Sequence, residues 1–342
     1  MFGKFRHSRK NRNPLTAWSS RSRPLYDVSG VALDKEDRSK SVLVLGSAGF
    51  VGNRLCMRLA ELGNKVTALG RSESLSSDGR IVRLRGSIED RQLLRSALSE
   101  SDTIAYCAAM TTPGTSATDP ALEVMGNLLP LARLLECASD FPERHIIYLS
   151  SGGAIYGDDA EDATESNTLR PRSYYGAGKA SAEAFLAACA AAGPWTATTL
   201  RPSNLYGPGQ QASKGFAIVP TLFDRAKDGK PFQVWGDGSV VRDYLYLDDL
   251  VEAIVLTTTS KQSARFNVYN VASRQCASIL QLIAACEVAC GRSINVEFNP
   301  RRSVDVTRVT PNPEAIERKL GWKSHTELAD GLRQTWNWQQ AR

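Results

Sequence analysis

Residues 41–52 read SVLVLGSAGFVG, an apolar run followed at once by a segment with three glycines. The apolar run predicts a buried strand over Ser41–Leu45, and the residues after the glycines carry apolar side chains at helical spacing. Gly46 permits a tight turn, Gly49 lets a phosphate approach the backbone, and Gly52 allows close packing of helix on strand. Glycines between a first strand and a first helix therefore predict a dinucleotide-binding turn rather than a turn that only needs glycine.

The alternation of strand and helix continues beyond this unit. Further strands are predicted at Val66–Leu69, Ile81–Arg85, Thr103–Cys107, Ile146–Ser150 and Thr196–Leu200, and helices at about 50–62, 90–99, 120–139 and 174–192. Such alternation implies right-handed crossovers and a doubly wound parallel sheet covered by helices on both faces. The sequence thus predicts an α/β protein with a Rossmann domain over 40–205. A smaller α/β region, mainly 206–342, would bind substrate, with segments returning to the sheet.

The net charge of +6 is concentrated at one end of the chain. Residues 1–24 hold seven basic and no acidic side chains, and the rest of the chain is close to neutral. This charge pattern gives no reason to expect a nucleic-acid partner for the folded part. We expect residues 1–39 to be a disordered extension. A transit peptide or a start codon assigned too early are the alternatives.

The cysteines and histidines exclude several kinds of site. The seven cysteines are scattered without a Cys-x-x-Cys pair, which favours reduced thiols in a cytoplasmic protein. Three dispersed histidines are too few for a metal site or a Ser-His-Asp triad. No apolar stretch reaches the length of a transmembrane helix, so no membrane partner is expected.

The end of the second predicted strand bears on the choice of cofactor. A carboxylate there would bind the ribose hydroxyls of NAD, but this chain has Gly70, Arg71 and Ser72. Arg71 could pair with a 2′-phosphate, so the sequence leans to NADP over NAD. The alternative is that Arg71 is a solvated surface residue and that other contacts hold NAD.

A tyrosine and a lysine four residues apart supply the predicted acid–base chemistry. Tyr175 and Lys179 share one face of a predicted helix, whereas Tyr174 has Gly178 at the matching position. A nearby ammonium, helped by an oxidised nicotinamide, would lower the pKa of the phenol from its ordinary value of about 10. Tyr175 is therefore the predicted general base for a hydroxyl that loses hydride.

Together, these segments resemble the extended short-chain dehydrogenase/reductase family, and most of all its nucleotide-sugar epimerases and dehydratases, the UDP-glucose 4-epimerase type. The resemblance covers about residues 40–338, in the family's order and spacing. The segments that carry it are GSAGFVG, the SS…YG segment, SYYGAGK, LRPSNLYGPGQ, VWGDGSVVRDYLYLDDL and the terminal LGW.

The resemblance implies a role for each matching position. For the cofactor it implies Gly46, Gly49, Phe50, Gly52, Ser87, Ile88, Ala108, Tyr175 and Lys179, in addition to Arg71, which is assigned from its charge. For the substrate it implies Asn204, Arg242, Arg302 and Asp305. Ser87 stands where the family usually has aspartate, which leaves that contact weaker or different. Two arginines that converge on a diphosphate make physical sense, because guanidinium donors fit phosphate oxygens.

The segment YLSSGGAIYG, residues 148–157, departs from the family pattern. Counting back from Gly157, the expected catalytic hydroxyl falls on Gly152. Ser151 is one residue earlier and would point to the other face if the strand continued. Either Ser151 acts as the catalytic hydroxyl, a water fills the space, or Tyr175 works without a hydroxyl partner; the serines could also only shape the turn.

The sequence therefore predicts a nucleoside-diphosphate-sugar 4-epimerase that works through a 4-keto intermediate, built as a homodimer on the helices near 120–139 and 174–192. The alternative is an NADPH-dependent reductase of a 4-keto-6-deoxy sugar, favoured by Arg71 and by the lost hydroxyl. A 4,6-dehydratase is less favoured, since Gly153 and Ala154 replace its acidic pair. A non-catalytic NADP-binding sensor is a remote alternative.

Overall fold

The computed structural model describes residues 40–72, 79–158, 160–212, 217–261, 264–301 and 307–341, so the expected disordered extension, 1–39, lies outside the described residues. The strands are β1 (Ser41–Leu45), β2 (Lys65–Gly70), β3 (Ile81–Arg85), β4 (Thr103–Tyr106), β5 (His145–Leu149), β6 (Ala160–Ala163), β7 (Thr196–Pro202), β8 (Asn204–Tyr206), β9 (Phe232–Trp235), β10 (Val241–Tyr246), β11 (Phe266–Val271), β12 (Cys276–Ser278), β13 (Val296–Asn299) and β14 (Arg308–Pro311). The helices are α1 (Phe50–Glu61), α2 (Arg91–Ser99), α3 (Pro120–Glu123), α4 (Leu129–Glu136), α5 (Gly152–Ile155), α6 (Tyr174–Ala192), α7 (Ile218–Asp228), α8 (Leu247–Thr259), α9 (Ile279–Cys290), α10 (Glu314–Leu320) and α11 (Leu328–Gln340). None of the helices in these ranges has the length and hydropathy needed to span a lipid bilayer.

A seven-stranded sheet in the order β11-β7-β5-β4-β1-β2-β3 forms the centre of the molecule. All of its strand pairs are parallel. The strand order reverses direction between β1 and β4, and ligands of open α/β sheets bind outside the carboxyl ends of the strands at such a point. The predicted fold class, a doubly wound Rossmann sheet, is confirmed.

The alternating side chains of β1 divide the core into two layers. Val42 and Val44 pack on one face with apolar side chains of α1 and α8. Leu43 and Leu45 pack on the other face with α2, α4 and α6. A parallel strand buried on both faces reads as a continuous apolar run, which is why SVLVL shows no polar position after its first residue.

The C-terminal half adds a smaller region at the carboxyl edge of the sheet. Its second sheet has the order β12-β10-β14-β6, with β8 beside β10, and β9 pairs with β13. Helices α7, α9 and α11 share a third core cluster, which includes Phe223 and Trp336. Strand β11 returns to the central sheet beside β7.

The helix predicted over 120–139 is interrupted. A π-helical turn, Val124–Leu128, separates α3 from α4, and a 3₁₀ turn, Cys137–Asp140, follows α4. Pro130 lies at the start of α4 and has no N–H to donate to the carbonyl four residues earlier. The wider turn places Glu123 and Asn127 in the interior, where both are buried.

Candidate active site

The glycine-rich turn joins β1 to α1 at the point where the strand order reverses. Gly46 has a φ of +82°, and a Cβ there would lie 2.7 Å from the Ala108 backbone. A Cβ on Gly52 would lie 2.3 Å from the Gly46 carbonyl oxygen. No side chain caps α1, and its first turn holds no acid. The free N–H groups and the helix dipole therefore suit a dinucleotide's phosphates, with Gly49 and Phe50 at the start of the helix.

The predicted adenosine contacts lie at the ends of the neighbouring strands. Arg71 follows β2 and is exposed, and its Nη1 donates to the Met110 sulfur at 3.7 Å. The Ser87 hydroxyl accepts from the Glu89 N–H at 3.2 Å, so this side chain takes part in its own turn. Ile88 packs against the core.

Helix α6 carries the predicted acid–base pair on one face. The Ser173 hydroxyl caps the helix by accepting from the Gly176 N–H at 3.1 Å. Tyr174 points to solvent, whereas Lys179 is only 4% exposed. The Lys179 Nζ donates to the Leu149 carbonyl oxygen at 2.7 Å and lies 5.7 Å from the centroid of the Tyr175 ring. Tyr175 and not Tyr174 therefore lies on the face of α6 that carries Lys179.

The two serines after β5 have different partners. The Ser150 hydroxyl donates to the carboxylate of Glu183. The Ser151 hydroxyl forms a hydrogen bond with the phenol of Tyr175. Among the predicted catalytic residues, the structure therefore brings Ser151, Tyr175 and Lys179 together.

The position that lacks the expected hydroxyl is closed by packing. Gly152 begins α5, and a Cβ on it would lie 2.8 Å from Pro311 Cγ and 2.9 Å from the Arg201 carbonyl oxygen. A serine or threonine at 152 would therefore collide with the C-terminal region. The hydroxyl that reaches Tyr175 comes from the preceding residue, because the chain enters a helical turn after Ser151.

The pKa of Tyr175 departs from the sequence expectation. Burial, and then the charge of Glu123, raise the pKa of Tyr175 to about 12, and the hydrogen bond with Ser151 opposes that rise. Burial lowers the pKa of Lys179 to about 8, although Glu123, Cys107 and Glu183 oppose this change. The protein alone therefore does not lower the pKa of the phenol as predicted, because burial and the charge of Glu123 outweigh the hydrogen bond with Ser151.

Two of the four predicted substrate residues lie on paired strands. Asn204 in β8 is in register with Tyr244 in β10, and its Nδ2 donates to the Asp243 carbonyl oxygen at 3.1 Å. Arg242 in β10 donates from Nη1 to its neighbour's carbonyl oxygen at 2.8 Å. Arg302 and Asp305 lie outside the described residues.

A buried ion pair behind the serines was missed by the sequence analysis. Arg201 Nη2 lies 2.6 Å from Glu183 Oε2, and both side chains are almost fully buried. Arg201 Nη1 also donates to the Tyr156 hydroxyl at 2.8 Å, which donates to Asn270 Oδ1 at 2.5 Å. The signal available was Glu183 four residues after Lys179 on the same helix face.

A second missed residue is Glu123. Its carboxylate accepts from Asn127 Nδ2 at 2.8 Å and from the hydroxyl of Thr111. Nothing in the sequence marked it, since a glutamate near the start of a helix is ordinarily a solvated residue that complements the dipole. Among the described residues, no group of three or more His, Cys, Asp and Glu side chains could hold a metal ion.

The chain is similar to known proteins over most of its length. Residues 42–272 match the model of the NAD-dependent epimerase/dehydratase family. A UDP-glucose 4-epimerase of Mycolicibacterium smegmatis is 30% identical over 86% of this chain and 96% of its own. The crystal structure of UDP-glucose 4-epimerase from Thermotoga maritima with UDP-glucose has a TM-score of 0.82 and 28% identity, covering 88% of this chain and 99% of that one. That of Thermus thermophilus UDP-glucose 4-epimerase, a complex with NAD, has a TM-score of 0.80 and 28% identity, covering 88% and 100%.

These comparisons confirm the resemblance drawn from the sequence motifs. The match spans the glycine-rich turn, the predicted acid–base pair and the strand that carries Arg242. This chain is an enzyme of the extended short-chain dehydrogenase/reductase type and belongs to the NAD-dependent epimerase/dehydratase family.

Proposed function

We propose that this enzyme is a nucleoside-diphosphate-sugar 4-epimerase, with UDP-glucose as the first substrate to test. The observation that carries the proposal is the hydrogen bond between Ser151 and Tyr175 beside the buried ammonium of Lys179. This group lies at the carboxyl edge of the sheet, next to the turn that fits a dinucleotide. The relatives named as UDP-glucose 4-epimerases support the same function.

The reaction needs one proton transfer in each direction. The Tyr175 phenolate takes the proton of the sugar 4-hydroxyl while the C4–H bond breaks and a C4 ketone forms. A nicotinamide dinucleotide held at the Gly46–Gly52 turn would supply the hydride acceptor for C4 and the hydride donor for its other face. The Tyr175 phenol then gives the proton back to the sugar oxygen. The Ser151 hydroxyl stabilises the phenolate by donating to it.

We propose NAD as the cofactor. The turn at Gly46 and Gly52 and the uncapped start of α1 fit the dinucleotide phosphates. The lean to NADP drawn from Arg71 gains no support from the comparisons, whose family model is NAD-dependent. Denaturing the purified protein and identifying the released nucleotide tests this assignment. Stoichiometric NAD or NADH is expected, and an empty protein that binds NADPH much more tightly than NADH would contradict it.

The test of activity uses the purified enzyme without added cofactor. Incubation with UDP-glucose or UDP-galactose should give the other sugar, detected by NMR, with no net consumption of NAD. In deuterated water C4 should keep its own hydrogen, because hydride is returned rather than exchanged. No epimer from any UDP-hexose or UDP-pentose, together with NADPH consumption on a 4-keto-6-deoxy sugar, would favour the reductase instead.

We also propose a homodimer. Apolar side chains on the helical segment 120–136 and on α6 face solvent, among them Met125 at 59% and Phe185 at 50% exposure. A shared surface of this kind suits contact with a second copy of the chain. The cytoplasmic location stays a prediction, for which the seven free thiols are the support.

A further inference from the structure

The carboxylate of Glu123 is fixed in the interior beside the catalytic helix. It is 3% exposed, and the side chains of Thr111 and Asn127 donate to its two oxygens. Asn127 is itself held, since its Oδ1 accepts from the Met110 N–H at 2.9 Å. The loop after β4 and the π-helical turn therefore determine where the carboxylate lies.

This carboxylate contacts α6 between the two members of the acid–base pair. A Cβ on Gly178 would lie 2.2 Å from Glu123 Oε1 and 2.7 Å from its Cδ. Gly178 directly precedes Lys179 and is three residues after Tyr175. Only a glycine at this position lets a carboxylate lie against the helix backbone there.

Glu123 differs in charge from the other groups that face this pair. Glu183 on α6 is neutralised by Arg201 at 2.6 Å. Burial raises the pKa of the Cys107 thiol, just after β4, and of the Tyr148 phenol on β5, so both groups stay neutral. None of the ion pairs formed by the described residues includes Glu123.

A buried carboxylate with two hydrogen bonds and no cation in contact is costly unless a charge nearby compensates for it. The nearby charge is the ammonium of Lys179, with which Glu123 interacts electrostatically. The same negative charge opposes ionisation of the Tyr175 phenol. One carboxylate therefore acts on both members of the pair, in the direction that keeps each of them protonated.

We propose that Glu123 is a positioning residue for the reaction, whose buried charge holds the Lys179 ammonium in its protonated form at neutral pH. The catalytic role of Glu123 rests on the proposed epimerase function. The effect of Glu123 on the charge of Lys179 does not depend on that function, because this charge can be measured without turnover.

The experiment replaces the charge and keeps the shape. Glu123→Gln should lower the pKa of Lys179 by about one unit, since a nearby opposite charge shifts the pKa of an ionisable group by about 1–3 units. The pKa of Lys179 is followed by NMR of the full chain with ¹³Cε-labelled lysine, and Lys179→Arg assigns the signal. Both limbs of the pH–rate profile should also move to lower pH by a similar amount.

A matched control is Glu136→Gln, which removes the same charge from α4 at an exposed position paired with Arg133. It should leave the titration of Lys179 unchanged. An unchanged titration in folded Glu123→Gln would overturn the proposal. If that variant does not fold, Gly178→Ala displaces the carboxylate by steric contact and must lower the pKa of Lys179 in the same way. A shifted Lys179 titration without epimerase activity would overturn only the proposed function.

Discussion

Replacing Ser151 with alanine removes the hydroxyl that reaches Tyr175 and leaves the rest of the segment in place. A hydrogen bond to a charged group contributes about 1.5–3 kcal/mol. Because about 1.4 kcal/mol corresponds to one pKa unit, the pKa of Tyr175 should rise by about one to two units. The phenolate then forms only at higher pH. The acid limb of the kcat profile should move up by that amount, and the rate at neutral pH should fall about 10- to 100-fold.

Ser150→Ala is the matched control, because the same atom is removed one residue earlier. The hydroxyl of Ser150 donates to the carboxylate of Glu183, so its loss should cost about 1.5–3 kcal/mol of unfolding free energy and leave the acid limb where it is. The assay is the pH dependence of epimerisation for both variants, with urea unfolding alongside.

A second change tests whether the expected position can provide the hydroxyl. Gly152→Ser should not restore activity to Ser151→Ala, because its Cβ would lie 2.8 Å from Pro311 Cγ. The reasoning would be refuted if Ser151→Ala kept the wild-type profile, or if Ser150→Ala moved the acid limb as far. Recovery of the rate in the double variant would show that residue 152 can face Tyr175 after all.

Three further predictions concern the base, the buried ion pair and the dimer. Tyr175→Phe should lower kcat by about 10²- to 10⁴-fold while calorimetry shows NAD binding intact, and a rate near wild type would exclude this residue as the base. Arg201→Met leaves Glu183 buried without its cation and should reduce the free energy of unfolding by about 3–5 kcal/mol, measured by urea denaturation. Little change in that free energy would show that the ion pair is dispensable. Phe185→Glu should convert the dimer to a monomer by light scattering, whereas an unchanged mass would place the interface elsewhere.

The central sheet could be predicted from sequence because its signals are local. The SVLVL run is buried on both faces, so its strand bounds, Ser41–Leu45, were predicted as the structure has them. The helix predicted over about 174–192 has those bounds in the structure, where the Ser173 hydroxyl caps it. In these elements, local preference and tertiary packing favour the same conformation.

Helix α11 was not predicted from the sequence, because local preference and tertiary packing favour different conformations there. Gly331 lies in its first half, and a glycine there lowers helix propensity by about 1 kcal/mol relative to alanine. The structure explains the glycine: a Cβ on it would lie 2.2 Å from the Tyr206 hydroxyl. The contact joins residues more than a hundred positions apart, so no local pattern could have indicated it.

The charges around the site could not be predicted from local sequence either. Lys179 and Tyr175 were found from their spacing on one helix, but Glu123 reaches them from another segment through a turn that only the folded chain forms. The predicted lowering of the Tyr175 pKa took account of the nearby cation and omitted both burial and this anion. Burial is a property of the whole fold, so the direction of the pKa shift could not be obtained from one helix.

The first glycine of the pair in YLSSGGAIYG can now be explained by packing. Gly152 is needed because the C-terminal region closes over it, with a Cβ there only 2.8 Å from Pro311 Cγ. Both serines after β5 contact α6, Ser150 at Glu183 and Ser151 at Tyr175, because the chain leaves the strand and enters a helical turn after Ser151. The absence of a hydroxyl at 152 therefore does not weaken the acid–base group, and it no longer counts in favour of a reductase.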